Sequence, residues 1–297
     1  MFYLIIESCN LCPRECGGYR DNNIGGGFCG ASTVMKVARI APHYGEEPCI
    51  SGEKGSGAVF FSHCAMKCIF CQNYEISHGG FGKEITSAQL AEKFKELEAM
   101  GVHNINLVNG THYIPRIRES LLLYKPKIPV IFNCGGYEKA ESLRLLSGLV
   151  DVYLPDFKYS DDKMALEYSG AKNYCETAIK AIDEMLAQTG DLRFDDNGMI
   201  LQGTIIRHLV LPFGTKNSIN TLKLIKEHFG NRAFVSLMAQ YTPCGKAPEH
   251  KRLNRKITKR EYQKVLDELF DSELDGYAQE LESSGAEFIP AFDLTGV

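Results

Sequence analysis

The 297-residue sequence has no tryptophan, no internal repeat, no low-complexity tract and no excess of basic charge. No stretch approaches the ~18 consecutive apolar residues of a membrane-spanning helix. A formal net charge of -4 lacks the overall electrostatic footprint of a nucleic-acid or acidic-membrane binder. Met1-Phe2-Tyr3-Leu4-Ile5-Ile6 is apolar, but it has no basic lead and meets Glu7 too soon for a secretory leader. The expected compartment is therefore the cytoplasm, with neither membrane nor nucleic acid as a partner.

Hydrophobic residues make up 44% of the chain and charged residues 24%, which suits a globular protein with a sizeable core. The length accommodates one α/β barrel plus an appendage, or two domains. Cysteine is the distinctive component. Of 11 cysteines, seven form two groups: Cys9, Cys12, Cys16 and Cys29, then Cys64, Cys68 and Cys71. In a reducing compartment such grouping indicates metal or cluster binding rather than disulfides. Cys49, Cys134, Cys175 and Cys244 stand alone and are expected to be structural thiols.

Residues 8–57 are Gly- and Cys-rich and read as irregular. Strand and helix signals then alternate. The apolar run 57–62 ends at the second cysteine group. A helix is expected over 86–100, capped by Thr86 or Ser87 and ended by Gly101. Strands at 104–109, 129–133, 151–156, 203–211 and 233–238 are interleaved with helical patterns at 114–124, 138–148, 161–188 and 217–229. Asp195-Asp196-Asn197-Gly198 marks a hairpin turn. A helix begins near Thr258, and 287–292 reads as a last strand. Six serial β-α units predict a parallel sheet, barrel or doubly wound, with functional residues at the C-terminal strand ends. The expected divisions are a Cys-rich metal- or cluster-binding segment over 1–56, a barrel over 57–241, and an extension over 242–297 packed on it.

Cys64-Ala65-Met66-Lys67-Cys68-Ile69-Phe70-Cys71 directly follows the first barrel-type strand. Structural zinc usually takes four ligands, and a [4Fe–4S] cluster is normally held by four cysteines. Three thiolates at x3 and x2 spacing leave one iron open to a non-protein ligand, which makes the loop a reaction centre.

This spacing, with Phe70 before the last cysteine, resembles the cluster loop of radical S-adenosylmethionine (SAM) enzymes. The wider likeness is to pyruvate formate-lyase activating enzymes, and more closely to an uncharacterised branch of their homologues. Ser62-His63-Cys64, Cys71-Gln72-Asn73-Tyr74, Gly55-Ser56-Gly57 and Arg207-His208-Leu209-Val210-Leu211-Pro212 carry it. The resemblance implies a partial (β/α)6 TIM-like barrel and a [4Fe–4S] cluster on Cys64, Cys68 and Cys71. It further implies that SAM chelates the open iron and is cleaved reductively to a 5′-deoxyadenosyl radical, which abstracts a hydrogen atom from substrate. A glycyl residue of a partner protein, a peptide side chain and a small molecule are the open substrate classes. A flavodoxin or ferredoxin is the implied electron donor. By the same resemblance Asn109 and Gly110 stand where the family's backbone meets the SAM amine, although the acid and proline of that segment are missing here. Asn133 matches a ribose-contacting position, Asp156 and Lys158 lie beside SAM and substrate, and Arg207 pairs with the SAM carboxylate.

Four thiolates at Cys9-x2-Cys12-Pro13-Arg14-x-Cys16 and Cys29 suit either a closed zinc site or a second iron–sulfur cluster. A zinc- or cluster-binding module without SAM chemistry is the alternative reading of the whole chain. Other signals are weaker. Gly25-Gly26-Gly27-Phe28-Cys29-Gly30 fits G-x-G-x-x-G but follows Asp-Asn-Asn rather than a strand. The glycines of 52–57 lack the phosphate-loop lysine. Six basic residues between Lys251 and Arg260 read as a solvated face. His63 and His112 lie at strand ends, where structural and catalytic roles are both open.

Overall fold

The computed structural model describes residues 4–281 and 290–297. Eleven strands are present among the described residues: β1 (Met35–His43), β2 (Ser56–Phe61), β3 (Lys83–Ile85), β4 (Ile105–Val108), β5 (Val130–Cys134), β6 (Val152–Pro155), β7 (Arg193–Phe194), β8 (Ile200–Thr204), β9 (Ile206–Leu209), β10 (Phe234–Met238) and β11 (Asp275–Ala278). Strands β2, β4, β5, β6 and β8 run parallel in that order. The chain continues from β8 into β9, which bridges β6 through Asp156 and Arg207 and then pairs in parallel with β10, itself parallel to β11. The result is an α/β fold built as a partial TIM-like barrel that does not close.

The helices α1 (Ser87–Ala99), α2 (Ile114–Leu123), α3 (Tyr174–Thr189) and α4 (Thr215–Phe229) follow the strands, as β-α alternation requires. Thr86 caps α1 in a full capping box with Gln89. Thr258 and Glu261 do the same for the last helix, Lys259–Asp271.

Several expectations are corrected. The N-terminal segment is not irregular throughout, because β1 lies antiparallel to β2 and extends the sheet. The helix expected over 138–148 is reduced to one turn, Ala140–Leu143, followed by 3-10 geometry. The 161–188 stretch is two helices, since Gly170 and Asn173 take left-handed conformations between Asp162–Ser169 and Tyr174–Thr189. The strand expected over 203–211 starts earlier and is interrupted at Ile205. Met1–Tyr3 and residues 287–289 of the expected last strand fall outside the described residues. Residues 290–292 are not in a strand, and β11 is the last strand described. Near the C-terminus, Ile40 donates to Thr295 (2.9 Å) and Leu294 donates to Ala38 (3.1 Å), which ties the chain end to β1.

Strand register sorts the side chains. Asn106 pairs with Ile131 and Ile131 with Val152, while Val108 pairs with Asn133 and Asn133 with Leu154. These residues share the inner face. The alternate residues, among them Leu107, Phe132 and Tyr153, pack outward in one cluster with Phe94, Ile117 and Met185 of the helices. Ile131, Val152, Leu154 and Ile205 fill the interior with Cys49 and Ile50 from the short helix Pro48–Ser51. Farther along the same face come Asn133, Asp156 and Arg207. On β5, β6 and β9 the interior therefore turns from apolar to polar toward the C-terminal strand ends, whereas β4 runs from Asn106 to Val108.

Candidate active site

A cavity of about 210 Å³ opens at those C-terminal ends. One wall is the loop after β2, which contributes Cys64, Cys68, Phe70 and Cys71. Two residues of this loop, His63 (φ 71°) and Lys67 (φ 52°), take the left-handed region immediately before Cys64 and Cys68. Such conformations are costly for non-glycine residues, so the surroundings must hold them. Asn109 Nδ2, itself at φ 60° after β4, donates to the His63 carbonyl (3.2 Å). Phe70 is buried edge-on between Tyr168 and Tyr241. Ser169 Oγ donates to Cys68 Sγ at 3.0 Å.

Burial raises the Cys68 thiol, although Lys158 pulls against it. Cys71 is pushed up to about 12 by burial and then by its neighbours Cys68 and Cys64. Bare thiolates are disfavoured at this spot, and a positive metal group is what would stabilise all three together.

The opposite wall is a line of alternating charge. Arg207 donates from Nε to Asp156 Oδ1 (2.9 Å), from Nη1 to Glu46 Oε2 (3.1 Å) and from Nη2 to Asn133 Oδ1 (2.6 Å). Lys158 Nζ closes on the other oxygen of Asp156. Glu46 Oε1 accepts from Asn106 (3.0 Å) and Asn133 (3.2 Å). Burial works against the charge on Asp156, but Arg207 and Lys158 outweigh it and hold the carboxyl below its ordinary range. Lys158 and Arg207 are correspondingly raised against their own burial, each chiefly by Asp156. Asp156, Lys158 and Arg207 therefore stay ionised at neutral pH.

The expected positions divide as follows. Phe70, Asn109, Asn133, Asp156, Lys158 and Arg207 line the cavity together with the three cysteines. Gly110 lies behind it, where a Cβ would stand 2.3 Å from Ile117 Cδ1. Glu46 was not anticipated. The signal was the acidic pair before a proline in Gly45-Glu46-Glu47-Pro48. Cys134 also lines the cavity, but it packs with Phe132 and Tyr153 rather than with the cluster-loop cysteines. Gly136 (φ +74°) keeps the next turn tight, since a Cβ there would fall 1.9 Å from the Asp156 carbonyl oxygen.

Cys9, Cys12, Cys16 and Cys29 line a second, smaller cavity with Arg14, Arg20, Ala65 and His112. Among the described residues, no group of three or more His, Cys, Asp or Glu side chains is arranged to hold a single metal ion. His112 is buried, with Nε2 on the Ser62 carbonyl (2.7 Å) and no partner for Nδ1. Burial lowers it to about 3, so it is neutral. His63 is likewise lowered by burial.

The residues of the first cavity fit an iron–sulfur cluster and a zwitterionic cosubstrate. Three thiols stand on one side of one space, and an ionised, hydrogen-bonding line stands on the other. Among the described residues no helix is long and apolar enough to cross a membrane.

Comparisons with known proteins agree with this architecture. Residues 58–195 match the model of the radical SAM superfamily. An uncharacterized protein of Methanocaldococcus jannaschii is 31% identical over 272 residues, covering 89% of this chain and 74% of its own. Among solved structures, SuiB of Streptococcus suis bound to the precursor peptide SuiA aligns at a TM-score of 0.50 and 14% identity over 73% of this chain. The alignment spans 46% of SuiB, so the chain covers less than half of that enzyme's length. Methylornithine synthase (PylB) aligns at a TM-score of 0.50 and 15% identity, covering 78% of this chain and 68% of its own. The cavity at the strand ends, the fold and the family match converge, and the chain belongs to the radical SAM superfamily, enzymes that work with a [4Fe–4S] cluster and SAM.

Proposed function

We propose that this enzyme holds its [4Fe–4S] cluster on Cys64, Cys68 and Cys71 and generates a radical that abstracts hydrogen from a peptide substrate, a glycyl residue of a partner protein being the first candidate. The observation that carries the reading is the placement of three thiols across one cavity from the Glu46–Arg207–Asp156–Lys158 line. When bound, the cluster supplies one electron that breaks the sulfonium C–S bond of SAM, methionine leaves, and the 5′-deoxyadenosyl radical takes a hydrogen atom to become 5′-deoxyadenosine.

The chain's own residues bind and orient. Cys64, Cys68 and Cys71 would hold the cluster as thiolates. The peptide frame of Asn109, with Gly110 behind it, and the side chains of Asn133, Asp156, Lys158 and Arg207 receive the polar parts of SAM. Glu46 keeps Arg207 and Asn133 in register. Phe70 and Leu209 exclude water from the reacting end.

The peptide class is supported by the resemblance to pyruvate formate-lyase activating enzymes, and by the shared fold of SuiB, crystallised with its precursor peptide. An electron donor of the flavodoxin or ferredoxin type and a cytoplasmic location complete the proposal. We also assign the four N-terminal cysteines to a thiophilic metal group, an iron–sulfur cluster in preference to zinc, since no three of them converge on a single ion.

The test is anaerobic turnover of SAM with dithionite. The wild-type protein should release 5′-deoxyadenosine, and Cys68→Ala should release none. Undiminished product from Cys68→Ala would sink the assignment, and zinc without iron in the purified protein would favour a binding module. Deuterium passing from a glycine-labelled partner into 5′-deoxyadenosine supports the glycyl substrate; absence of transfer refutes it.

A further inference from the structure

The two cysteine groups stand back to back across one stretch of chain. In Cys64-Ala65-Met66, residues 64 and 66 line the large cavity and residue 65 lines the small one. Adjacent Cα atoms are only ~3.8 Å apart, so the two cavities are separated by the thickness of this loop. Arg14, between Cys12 and Cys16, crosses that boundary. Its guanidinium donates to the Ala65 carbonyl, to Met66 (3.2 Å), to Ser169 (2.7 Å) and to Gly170 (2.8 Å). Ser169 is the residue whose hydroxyl donates to Cys68 Sγ. The same guanidinium lies 3.5 Å from the centre of the Phe28 ring, beside Cys29.

A second link runs through Arg20. It donates to Cys9 Sγ (3.5 Å) and to the His112 carbonyl (2.8 Å), and His112 in turn meets the carbonyl of Ser62, two residues before Cys64. Sulfur here has the donors that metal thiolates receive from their surroundings, since Ala31 N–H also points to Cys29 Sγ at 3.5 Å. His112, with its buried and unpartnered Nδ1, lines the same cavity.

We infer that a thiophilic metal bound by Cys9, Cys12, Cys16 and Cys29 sets the geometry of the catalytic cluster loop, with Arg14 as the main positioning residue and Arg20–His112 as a second strut. This rests on the assignment of a metal to those cysteines. Arg14 is flanked by two of the four ligands and backed by the neighbour of a third, so whatever fixes the thiolates fixes its guanidinium. Four carbonyls then follow, two in the cluster loop and two beside the Cys68 partner. Apart from Arg14 itself and the Arg20–Cys9 contact, the side-chain ties of the turn from Cys9 to Cys16 among the described residues are Ser142 Oγ to the Leu11 carbonyl (2.8 Å) and the Lys139–Glu15 ion pair (2.5 Å). Neither of these two reaches the cluster loop.

The test uses the full chain, purified anaerobically, as wild type, Cys12→Ser/Cys16→Ser, Arg14→Met and Arg14→Lys. Metal analysis counts iron and zinc, and electron paramagnetic resonance of the dithionite-reduced protein, with and without SAM, reads the catalytic cluster. Steady-state turnover separates KM for SAM from kcat. The double cysteine variant should lose the N-terminal metal, keep the iron of the catalytic cluster, and show a changed resonance with KM for SAM raised roughly 10- to 100-fold. Arg14→Met should keep the N-terminal metal and reproduce the changed resonance and KM, and Arg14→Lys should recover part of both.

Zinc lost in the cysteine variant identifies a structural ion, and iron lost beyond the catalytic cluster identifies a second cluster; either supports the inference. A wild-type protein with no metal at these cysteines overturns it. So does an Arg14→Met variant whose resonance and KM match wild type, and that variant decides the matter even where the cysteine variant fails to fold. If no form cleaves SAM, the proposed function falls, while the resonance without SAM still reads the coupling.

Discussion

Arg207 is the most consequential single side chain in the cavity wall, and Arg207→Leu should show it. The guanidinium holds two carboxylates, Glu46 and Asp156, and orients Asn133. Its removal leaves Glu46 without a cation and Asp156 with Lys158 alone. Breaking a buried ion pair from one side costs roughly 3–5 kcal/mol, because the remaining charge stays desolvated. Arg207→Lys keeps a charge but cannot span three partners, and it loses about 1.5–3 kcal/mol for each charge-assisted bond not remade.

The sign of the pH effect follows from the same charges. In wild type, Asp156 has a depressed folded-state pKa, so its contribution is present at neutral pH and lost as pH falls through that value. In Arg207→Leu, Asp156 keeps Lys158 alone against its burial and binds protons more readily than in wild type. The variant therefore loses stability relative to wild type as pH rises. The gap between the two proteins should be widest near pH 7.5 and close toward pH 4. Anaerobic urea unfolding across that range measures it. Glu46→Gln/Arg207→Leu should recover part of the loss, because Asp156 and Lys158 then balance each other. A variant within about 1 kcal/mol of wild type at pH 7.5, or a gap that does not change with pH, would refute the assignment of Arg207 as the hub.

Three further outcomes are expected. Glu138 is buried, accepts from Thr111 (2.9 Å), leaves Oε2 without a partner, and is raised by burial from an ordinary 4.5 to about 7. Its ionisation therefore costs stability progressively as pH rises from about 4.5 through 7, up to about 3 kcal/mol. Glu138→Gln should gain on wild type by up to that amount at pH 8 and show little gain at pH 4, as followed by denaturant unfolding. Gly136→Ala puts a Cβ 1.9 Å from the Asp156 carbonyl oxygen at a positive φ, so it should lose at least 2 kcal/mol on the order of a strained residue and weaken SAM binding measured by calorimetry. Thr86→Ala removes a capping box far from the cavity, so thermal unfolding should register about 1 kcal/mol of loss while affinity for SAM stays unchanged.

What the sequence made legible follows from where the physical signal was local. The parallel strands read well because each is a short apolar run bounded by loop residues. β1 did not, because its inward–outward alternation is broken by an irregularity between Val37 and Arg39, where the pairing with β2 shifts register. β11 is short, mostly exposed and contains Gly276, so it has almost no strand pattern to read. The site divides in the same way. Asp156, Lys158 and Asn133 were legible because strand-end position and residue type coincide, and Arg207 through the family resemblance; all four line the cavity. Glu46 was not, because it reaches Arg207 across 161 positions of sequence and only the path of β1 brings it there.

The strand interiors carry a more general sign. Along the inner face, Ile131 is followed by Asn133, Val152 and Leu154 by Asp156, and Ile205 by Arg207. An inner face cannot be apolar at one end and polar at the other unless the polar groups are satisfied, since each orphan in such a site costs about 1–3 kcal/mol. Here they satisfy one another around Arg207, and their shared geometry faces the cysteines. A period-two series that turns polar at its C-terminal member, repeated on neighbouring parallel strands, therefore marks both the direction of the barrel and the residues that meet at its mouth.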